Sequence, residues 1–332
     1  MNFHQHLTTQ LITLVFPQFD QFSGTLVRAA VEQQESVVNS IDSLAVLFSS
    51  VAESTNQTWP NVTIHEFGRM VEIPMIEGGL EIMSFHPEVL PEDREAYIEF
   101  MKNNYQQSAA ESFRDYRGPY PLNSDFFADE AFPGMLFSFG SDGTLVDDSE
   151  REVVTPMWQG YPPITGNILI GHNLAQFDHV AAIYQAGKQL RTEVLYTDIR
   201  DYSVFAPELH SQFHSGGPEI NHPHVFANRV ILRDAWDTES DVVGFVSVGL
   251  AWDYALRNLL PSSVKDIMVV IRNTCNQSFT YRIDGADAIF VGDGDLHAGE
   301  FDSMRADANL SRSIDDPRVT SVPGHCLYNM VR

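Results

Sequence analysis

Positively charged residues are scarce in this sequence. Twenty Lys and Arg stand against 45 Asp and Glu in 332 residues, which gives a formal net charge of -25 at pH 7. Such a surface repels phosphate backbones and anionic lipid headgroups. We therefore exclude nucleic acid as a partner and expect neutral or cationic ligands, although a solvated acidic surface is the simpler explanation of the same charge.

Cysteine is rarer still, with only Cys275 and Cys326 in the chain. Two cysteines allow one disulfide bond but do not require it. Four Asn-x-Ser/Thr acceptor triplets for N-glycosylation accompany them, beginning at Asn56, Asn61, Asn276 and Asn309. Few cysteines together with several acceptor triplets favour an extracytoplasmic protein.

A long hydrophobic run is also missing. The apolar stretch near the amino terminus, Leu11–Phe16, is far shorter than the ~20 residues of a membrane helix, and no basic segment precedes it as in a signal peptide. We therefore expect any export element, and any membrane contact, to come from segments outside this chain.

Catalytic motifs are absent as well. The chain has no Gly-x-Ser-x-Gly elbow and no His-Glu-x-x-His zinc motif. The loop "VGDGDLHAGE" lacks the Lys-Ser/Thr of a phosphate loop, so Asp293, Asp295 and His297 form either a loose cation site or a plain turn between strands. No cofactor is predicted.

A histidine-rich segment leaves one enzymatic alternative. Neutral imidazoles bind zinc or copper, and four of them fall within "HSQFHSGGPEINHPH": His210, His214, His222 and His224. A metal-dependent enzyme using this loop is one hypothesis. An exposed, pH-sensitive loop is the other.

The patterns that are present indicate an α+β fold. From Phe22 to Val51, apolar residues recur at steps of three and four, which predicts a long amphipathic helix. It could act as a stalk that forms a homodimer, which would make the chain a dimerisation or adhesion module, or it could pack on its own domain. Apolar strand segments then follow, including "LEIMSF", "HVFANRVILRD", "DVVGFVSVGLAW" and "DIMVVIRN". Their order with the helices favours a mainly antiparallel sheet.

A small-molecule pocket is predicted from polar and aromatic residues in the middle of the chain. Its candidate lining residues are Trp158, Tyr161, Asn173, Arg191 and Thr192. The competing explanation of these residues is structural, with Trp158 in the core and Arg191 as a surface charge.

The ordered motifs "SFHPEVLPEDREAYIEFM", "TPMWQGYPP", "AAIYQAGKQLRTEVL" and "VILRDAWDTESDVVGFVSVGLAW" resemble the CHASE-type extracellular sensor region of receptor kinases and nucleotide cyclases. The segment "NLLPSSVKDIMVVIRNTCNQSFTYRIDGADAIFVGDGDLH" is similar to the ectodomains of algal, diatom-like receptor-type guanylate or adenylate cyclases.

This resemblance implies an architecture: an amino-terminal segment at 1–17, a stalk helix at 18–60, a PAS-like sensor domain at 61–260, and the truncated start of a second, membrane-proximal PAS-like module at 261–332. It implies a sensor on the extracellular face of the plasma membrane that binds an unknown small molecule. No cyclase catalytic domain is present, so the chain itself is not expected to be an enzyme. In such an ectodomain we expect Cys275 and Cys326 to be disulfide-bonded and the acceptor asparagines to be glycosylated.

Overall fold

The computed structural model of the protein describes residues 3–78, 80–115, 134–140, 144–148, 150–162, 170–198, 223–299, 307–310 and 325–331. In these residues a long amino-terminal helix is followed by antiparallel sheets, which confirms the predicted α+β class. The helices are α1 (Phe3–Ser54), α2 (Phe67–Gly78), α3 (Arg94–Asp115), α4 (Asp178–Leu190) and the short α5 (Trp252–Ala255). Single 3-10 turns lie at Pro91–Asp93 and Leu174–Gln176.

The strands fall into two sheets and one small hairpin. They are β1 (Leu80–Pro87), β2 (Phe137–Phe139), β3 (Leu145–Asp147), β4 (Gln159–Tyr161), β5 (Leu195–Tyr196), β6 (His224–Leu232), β7 (Val242–Ala251), β8 (Ile267–Asn273), β9 (Ser278–Asp284), β10 (Asp287–Asp293), β11 (Asp307–Asn309) and β12 (Tyr328–Val331). Strands β2 and β3 pair with each other as the hairpin.

The first sheet has the order β4-β1-β7-β6-β5, and each neighbouring pair is antiparallel. Its first and last strands along the chain, β1 and β7, therefore lie side by side at its centre. The second sheet, drawn entirely from residues after 266, has the order β10-β9-β8-β12-β11 and is also antiparallel.

Helix α1 is longer than the sequence indicates. It begins at Phe3 rather than near residue 18, ends at Ser54 rather than near residue 60, and spans 52 residues, about 78 Å at 1.5 Å per residue. Once a helix is nucleated, each added residue gains a hydrogen bond at little cost, so the stretch before residue 18 extends the same helix.

One face of α1 packs along the protein's own sheets. Its buried positions recur at helical spacing from Ser23 to Ala52, and the helix contacts α2, β6, β7 and β11. The ring of Phe48 stacks on Phe85 of β1 with centroids 3.8 Å apart. This face of α1 therefore packs on its own domain, and a homodimer formed through α1 stays a prediction.

One continuous apolar core joins the two sheets. It contains side chains from α1, from the first sheet and from β8, β9 and β12 of the second. Backbone and side-chain bonds reinforce the junction: the Cys326 amide donates to the Tyr196 carbonyl at 3.0 Å, and the Tyr328 hydroxyl donates to the Thr197 carbonyl at 2.6 Å. Within the described ranges, no helix is long and apolar enough to cross a bilayer.

Candidate functional site

The two faces of the first sheet differ in chemistry. Side chains alternate between the faces of a strand, and directly paired residues of antiparallel strands share a face. Phe85, Val246 and their alternates contribute to the core beneath α1. The opposite face, which we call the α4 face, carries His86, Phe245 and Val230 in one row, and α4 packs on it through Val180 and Tyr184.

A row of polar residues crosses the α4 face. Ser84 of β1 lies opposite Ser247 of β7, which in turn lies opposite Asn228 of β6. Their exposed fractions are 1%, 1% and 6%, so all three are enclosed in a region where apolar side chains are the rule. We call Ser84, Ser247 and Asn228 the polar row.

The polar row has hydrogen-bonding capacity to spare. Ser84 Oγ lies 2.8 Å from His86 Nε2 and 3.3 Å from the Ser247 carbonyl oxygen, and Asn228 Nδ2 donates to the Phe226 carbonyl at 3.3 Å. Ser247 Oγ and Asn228 Oδ1 have no hydrogen-bond partner in the part of the chain that the structure describes. A buried polar atom without a hydrogen bond lowers the free energy of unfolding by about 1–3 kcal/mol. Such atoms in a folded protein therefore indicate a role other than stability.

Two neutral histidines lie beside the polar row. His86 stacks on Phe245 with ring centroids 4.6 Å apart. Burial, followed by the nearby His172, lowers the pKa of His86 to about 3. Burial also lowers the pKa of His172 to about 4, against the opposing effect of Asp148. Both imidazoles therefore act at neutral pH as uncharged hydrogen-bonding groups.

The far end of the α4 face carries a buried histidine–carboxylate pair. His224 Nε2 lies 2.8 Å from Glu81 Oε2, and both side chains are less than one-tenth exposed. The register of β1 against β7 shifts between Leu80 and Ile82, so Glu81 sits at a β-bulge. Gly249 lies on β7, the strand between Glu81 on β1 and His224 on β6. A Cβ at this position would lie 2.4 Å from Ile82 Cγ2, so only glycine fits here without a shift.

Helix α4 covers the other end of this face. Asn228 and Phe245, with Tyr184 and other α4 residues, line a cavity of about 10 Å³, room for about one water molecule. Tyr184 donates its hydroxyl hydrogen bond to Glu88, and Lys188 Nζ lies 2.6 Å from the same carboxylate. Burial, with the adjacent Glu88 carboxylate, raises the pKa of Tyr184 well above its ordinary value. The helix is thus fastened to the chain just after β1.

A single guanidinium connects α4 to α1. Arg229 Nε donates to Asp42 Oδ1 of α1 at 3.0 Å, and Arg229 Nη1 donates to the carbonyl of Arg191 at the carboxyl end of α4. Arg229 lies on β6, next to Asn228. Arg229 therefore links the end of α4 and strand β6 to α1, in addition to the direct packing of α1 on β6.

The five predicted pocket residues do not converge in the structure. Trp158 is fully buried and donates to Thr63 at 2.8 Å, and Tyr161 donates to Glu72 on α2 at 3.1 Å. Asn173 instead donates to Asp148 at 2.7 Å, in a buried cluster with Thr155.

Arg191 and Thr192 lie elsewhere, just past the end of α4. Arg191 donates to the Ser240 carbonyl, and the Thr192 amide donates to the Leu190 carbonyl at 2.5 Å. None of the five lines either described cavity. A ligand contact by any of them stays a prediction.

The metal alternatives gain no support from the described residues. Of the four histidines only His224 is described, where it pairs with Glu81; His210, His214 and His222 fall outside those ranges. Asp295 pairs with Arg272 and with His297. No group of three metal-ligating side chains occurs in the described segments.

The two cysteines are joined, with Cα atoms 5.5 Å apart. Cys275 lies in the turn between β8 and β9, and Cys326 precedes β12. Among the acceptor asparagines, Asn56 and Asn276 are exposed and Asn61 is half-buried. Asn309 ends β11, and its side chain is outside the described part.

The polar row itself was not predicted from the sequence. Its signal is present, because "MSFHP" and "FANRV" each place two polar residues, and "GFVSVG" places one, inside an otherwise apolar strand. The sequence of each strand does not indicate which other strands pair with it. Comparison of the chain with protein-family profiles gives no match, and comparison with curated proteins gives no match either.

Proposed function

We propose that this protein is a small-molecule sensor module whose ligand binds on the α4 face of the first sheet. The observation that carries the proposal is the polar row: two of its buried polar atoms, Ser247 Oγ and Asn228 Oδ1, lack partners in the described chain. Binding sites retain such groups because a ligand satisfies them, at a cost in stability to the free protein.

The chemistry of the α4 face selects the class of ligand. Asn228 Oδ1 accepts a hydrogen bond, His86 and His172 are uncharged at neutral pH, and Glu81 adds a carboxylate at the far end. The chain as a whole is strongly acidic. The preferred ligand is therefore an uncharged or cationic molecule with hydrogen-bond donors, and a carboxylate or phosphate is disfavoured.

Ligand binding would be coupled to α1 because α4 covers this face of the sheet. The cavity beneath α4 is water-sized, so a larger ligand displaces α4 or widens its contact with the sheet. Arg229 transmits that shift, because it holds both the end of α4 and Asp42 of α1. A ligand that binds the two arrangements unequally shifts their populations.

The wider setting is proposed from the sequence resemblance. The chain would be the extracellular, CHASE-like part of a receptor-type nucleotide cyclase, without cyclase activity of its own. The Cys275–Cys326 bond is compatible with an extracellular domain, and the exposed Asn56 and Asn276 suit glycosylation. Purified protein should form no cyclic nucleotide from nucleoside triphosphates.

A thermal-shift panel tests the binding proposal. It contains uncharged polyols and amides, primary amines, and matched carboxylates, each at several concentrations. A ligand at 100 times its Kd stabilises the folded state by about 2.7 kcal/mol, which raises Tm by several degrees. We expect stabilising compounds among the uncharged and amine classes and none among the carboxylates.

Ser247→Ala supplies the site-specific variant. Removing a buried hydroxyl with no described partner should leave Tm unchanged or raise it, while the ligand-induced shift falls. Ser49→Ala is the matched control, since Ser49 is a buried serine of α1 that donates to the Leu232 carbonyl at 2.5 Å. It should lower Tm yet keep the ligand shift. Equal ligand shifts in the wild type and Ser247→Ala would refute the site.

A further inference from the structure

A second cavity lies on the opposite side of the first sheet. It is an open groove of about 560 Å³ between α1 and α2, with Met83 of β1 among its lining residues. Small-molecule sites are typically about 300–1,000 Å³. The groove is thus large enough for an organic ligand and lies on the face of β1 that is covered by α1, away from the polar row.

The groove exists because α1 presents small side chains to α2. Ser36, Ser40 and Ser43 recur at helical spacing along this line, and Pro74 lies opposite on α2. Serine side chains cannot fill the space between two helices as leucines would, so the helices contact without interdigitating.

The lining combines apolar walls with acidic ends. Met70 of α2 borders the groove and is 43% exposed, and Ile73 and Ile76 beside it are 63% and 65% exposed. Glu32 and Glu35 lie in the same lining, and none of its described residues is cationic. Exposed apolar surface of this kind marks a binding region, and the two carboxylates define its charge preference.

We propose that the α1–α2 groove binds an organic cation with an apolar body, of the alkylammonium type. The apolar part lies against Met70, Pro74 and Met83, and the ammonium group lies near Glu32 and Glu35. An anionic amphiphile is repelled by the same carboxylates. A second copy of this chain is disfavoured too, because each copy brings Glu32 and Glu35 to the contact and carries a net charge of -25.

Titration calorimetry with the full chain tests this site. The probes are hexyltrimethylammonium, hexanol and hexanoate, which share an apolar chain and differ in charge. We expect the ammonium to bind most tightly, the alcohol more weakly and the carboxylate not measurably. Added salt should weaken only the ammonium.

Two variants locate the binding. Glu32→Gln with Glu35→Gln should weaken hexyltrimethylammonium about five-fold at low salt, within the range of two partly exposed charge contacts. Glu150→Gln with Glu152→Gln, an exposed pair outside the groove, makes the same charge change and should leave the Kd unaltered. Ser40→Phe fills the groove and should abolish binding of the ammonium and the alcohol alike.

The contrary outcomes are equally specific. Hexanoate binding as tightly as the ammonium, equal effects of the two charge-altered pairs, or undiminished binding to folded Ser40→Phe would each overturn the proposal. Self-association of the chain, measured by sedimentation, would also overturn the proposal if hexyltrimethylammonium does not reverse it and Ser40→Phe abolishes it. The thermal shift caused by ligands of the α4 face should be retained in Ser40→Phe. Failure of the groove proposal would then leave the proposed sensor function untouched.

Discussion

Two histidines, His86 and His172, show how burial, the largest cause of their lowered pKa values, sets the chemistry of a residue. Histidine titrates near pH 6.5 in the unfolded chain, whereas the pKa of His86 is lowered to about 3 and that of His172 to about 4. The unfolded chain therefore binds these protons more readily than the folded protein. The stabilising contribution is fully present above pH 6.5 and is lost as the pH falls toward the folded pKa values.

Acid should accordingly destabilise the protein before its carboxylates titrate. Each of the two histidines contributes at most about 1.4 kcal/mol per pH unit below 6.5, and His325, whose pKa is also lowered by burial, acts in the same direction. Urea unfolding at pH 7, 6 and 5 measures the slope. His86→Gln and His172→Gln, made singly, should each reduce it.

The control for this titration is His65→Gln, because the His65 side chain is 69% exposed. In a His65→Gln background, His86→Gln and His172→Gln should each still reduce the slope. The account of the buried histidines is wrong if the slope between pH 6.5 and 5 is undiminished in both His86→Gln and His172→Gln. A residue with a shifted pKa is visible only in the fold, since the sequence around His86 gives no sign of the Phe245 ring that covers it.

The central strand pair of the first sheet makes a prediction at the level of elements. A Cβ at Gly244 of β7 would lie 2.5 Å from the His86 carbonyl oxygen and 2.9 Å from Pro87 Cα, both backbone atoms of β1. Gly244→Ala therefore forces the strands apart and should lower the free energy of unfolding by about 1–3 kcal/mol.

Gly24→Ala is the matched substitution. Gly24 lies in α1, and a Cβ there meets no atom of the described residues within 4 Å, so alanine should stabilise the helix by about 0.5–1 kcal/mol. Denaturant unfolding of both variants is the measurement. Equal stability of Gly244→Ala and the wild type would contradict the described β1–β7 pairing.

Local patterns explain which elements could be predicted. The apolar periodicity of α1 and the apolar runs of β6, β7 and β8 are written within single segments, so the helix and these strands follow from sequence. The polar row depends instead on register between distant strands: Ser84 and Ser247 are 163 positions apart. The strands can therefore be predicted from the sequence. The predicted binding residues, Trp158 and Arg191 among them, lie apart in the fold.

At the scale of the whole molecule, the Cys275–Cys326 bond lies within the second sheet, beside its junction with the first. Cys326 precedes β12, and its amide bonds the Tyr196 carbonyl of the first sheet at 3.0 Å. The bond closes a loop with a sequence separation of 51, for which chain entropy gives about 4 kcal/mol of stabilisation.

Reduction should therefore lower Tm and expose the amides of residues 325–331 to hydrogen exchange. Cys275→Ser with Cys326→Ser should reproduce both effects, and reductant should change nothing further in that double variant. An unchanged Tm and unchanged exchange on complete reduction of the wild type would mean that the bond is dispensable for the junction.

Ligand binding on the α4 face is the central claim, and amide chemical-shift mapping by NMR tests it most directly. The sample is isotope-labelled full chain, titrated with the best stabilising compound from the uncharged and amine classes. We predict that the amides of Ser84, Asn228 and Ser247 shift in proportion to occupancy and that those around Asp42 on α1 shift with the same apparent Kd. Saturable shifts confined to the α1–α2 groove, with the polar row unmoved, would contradict it.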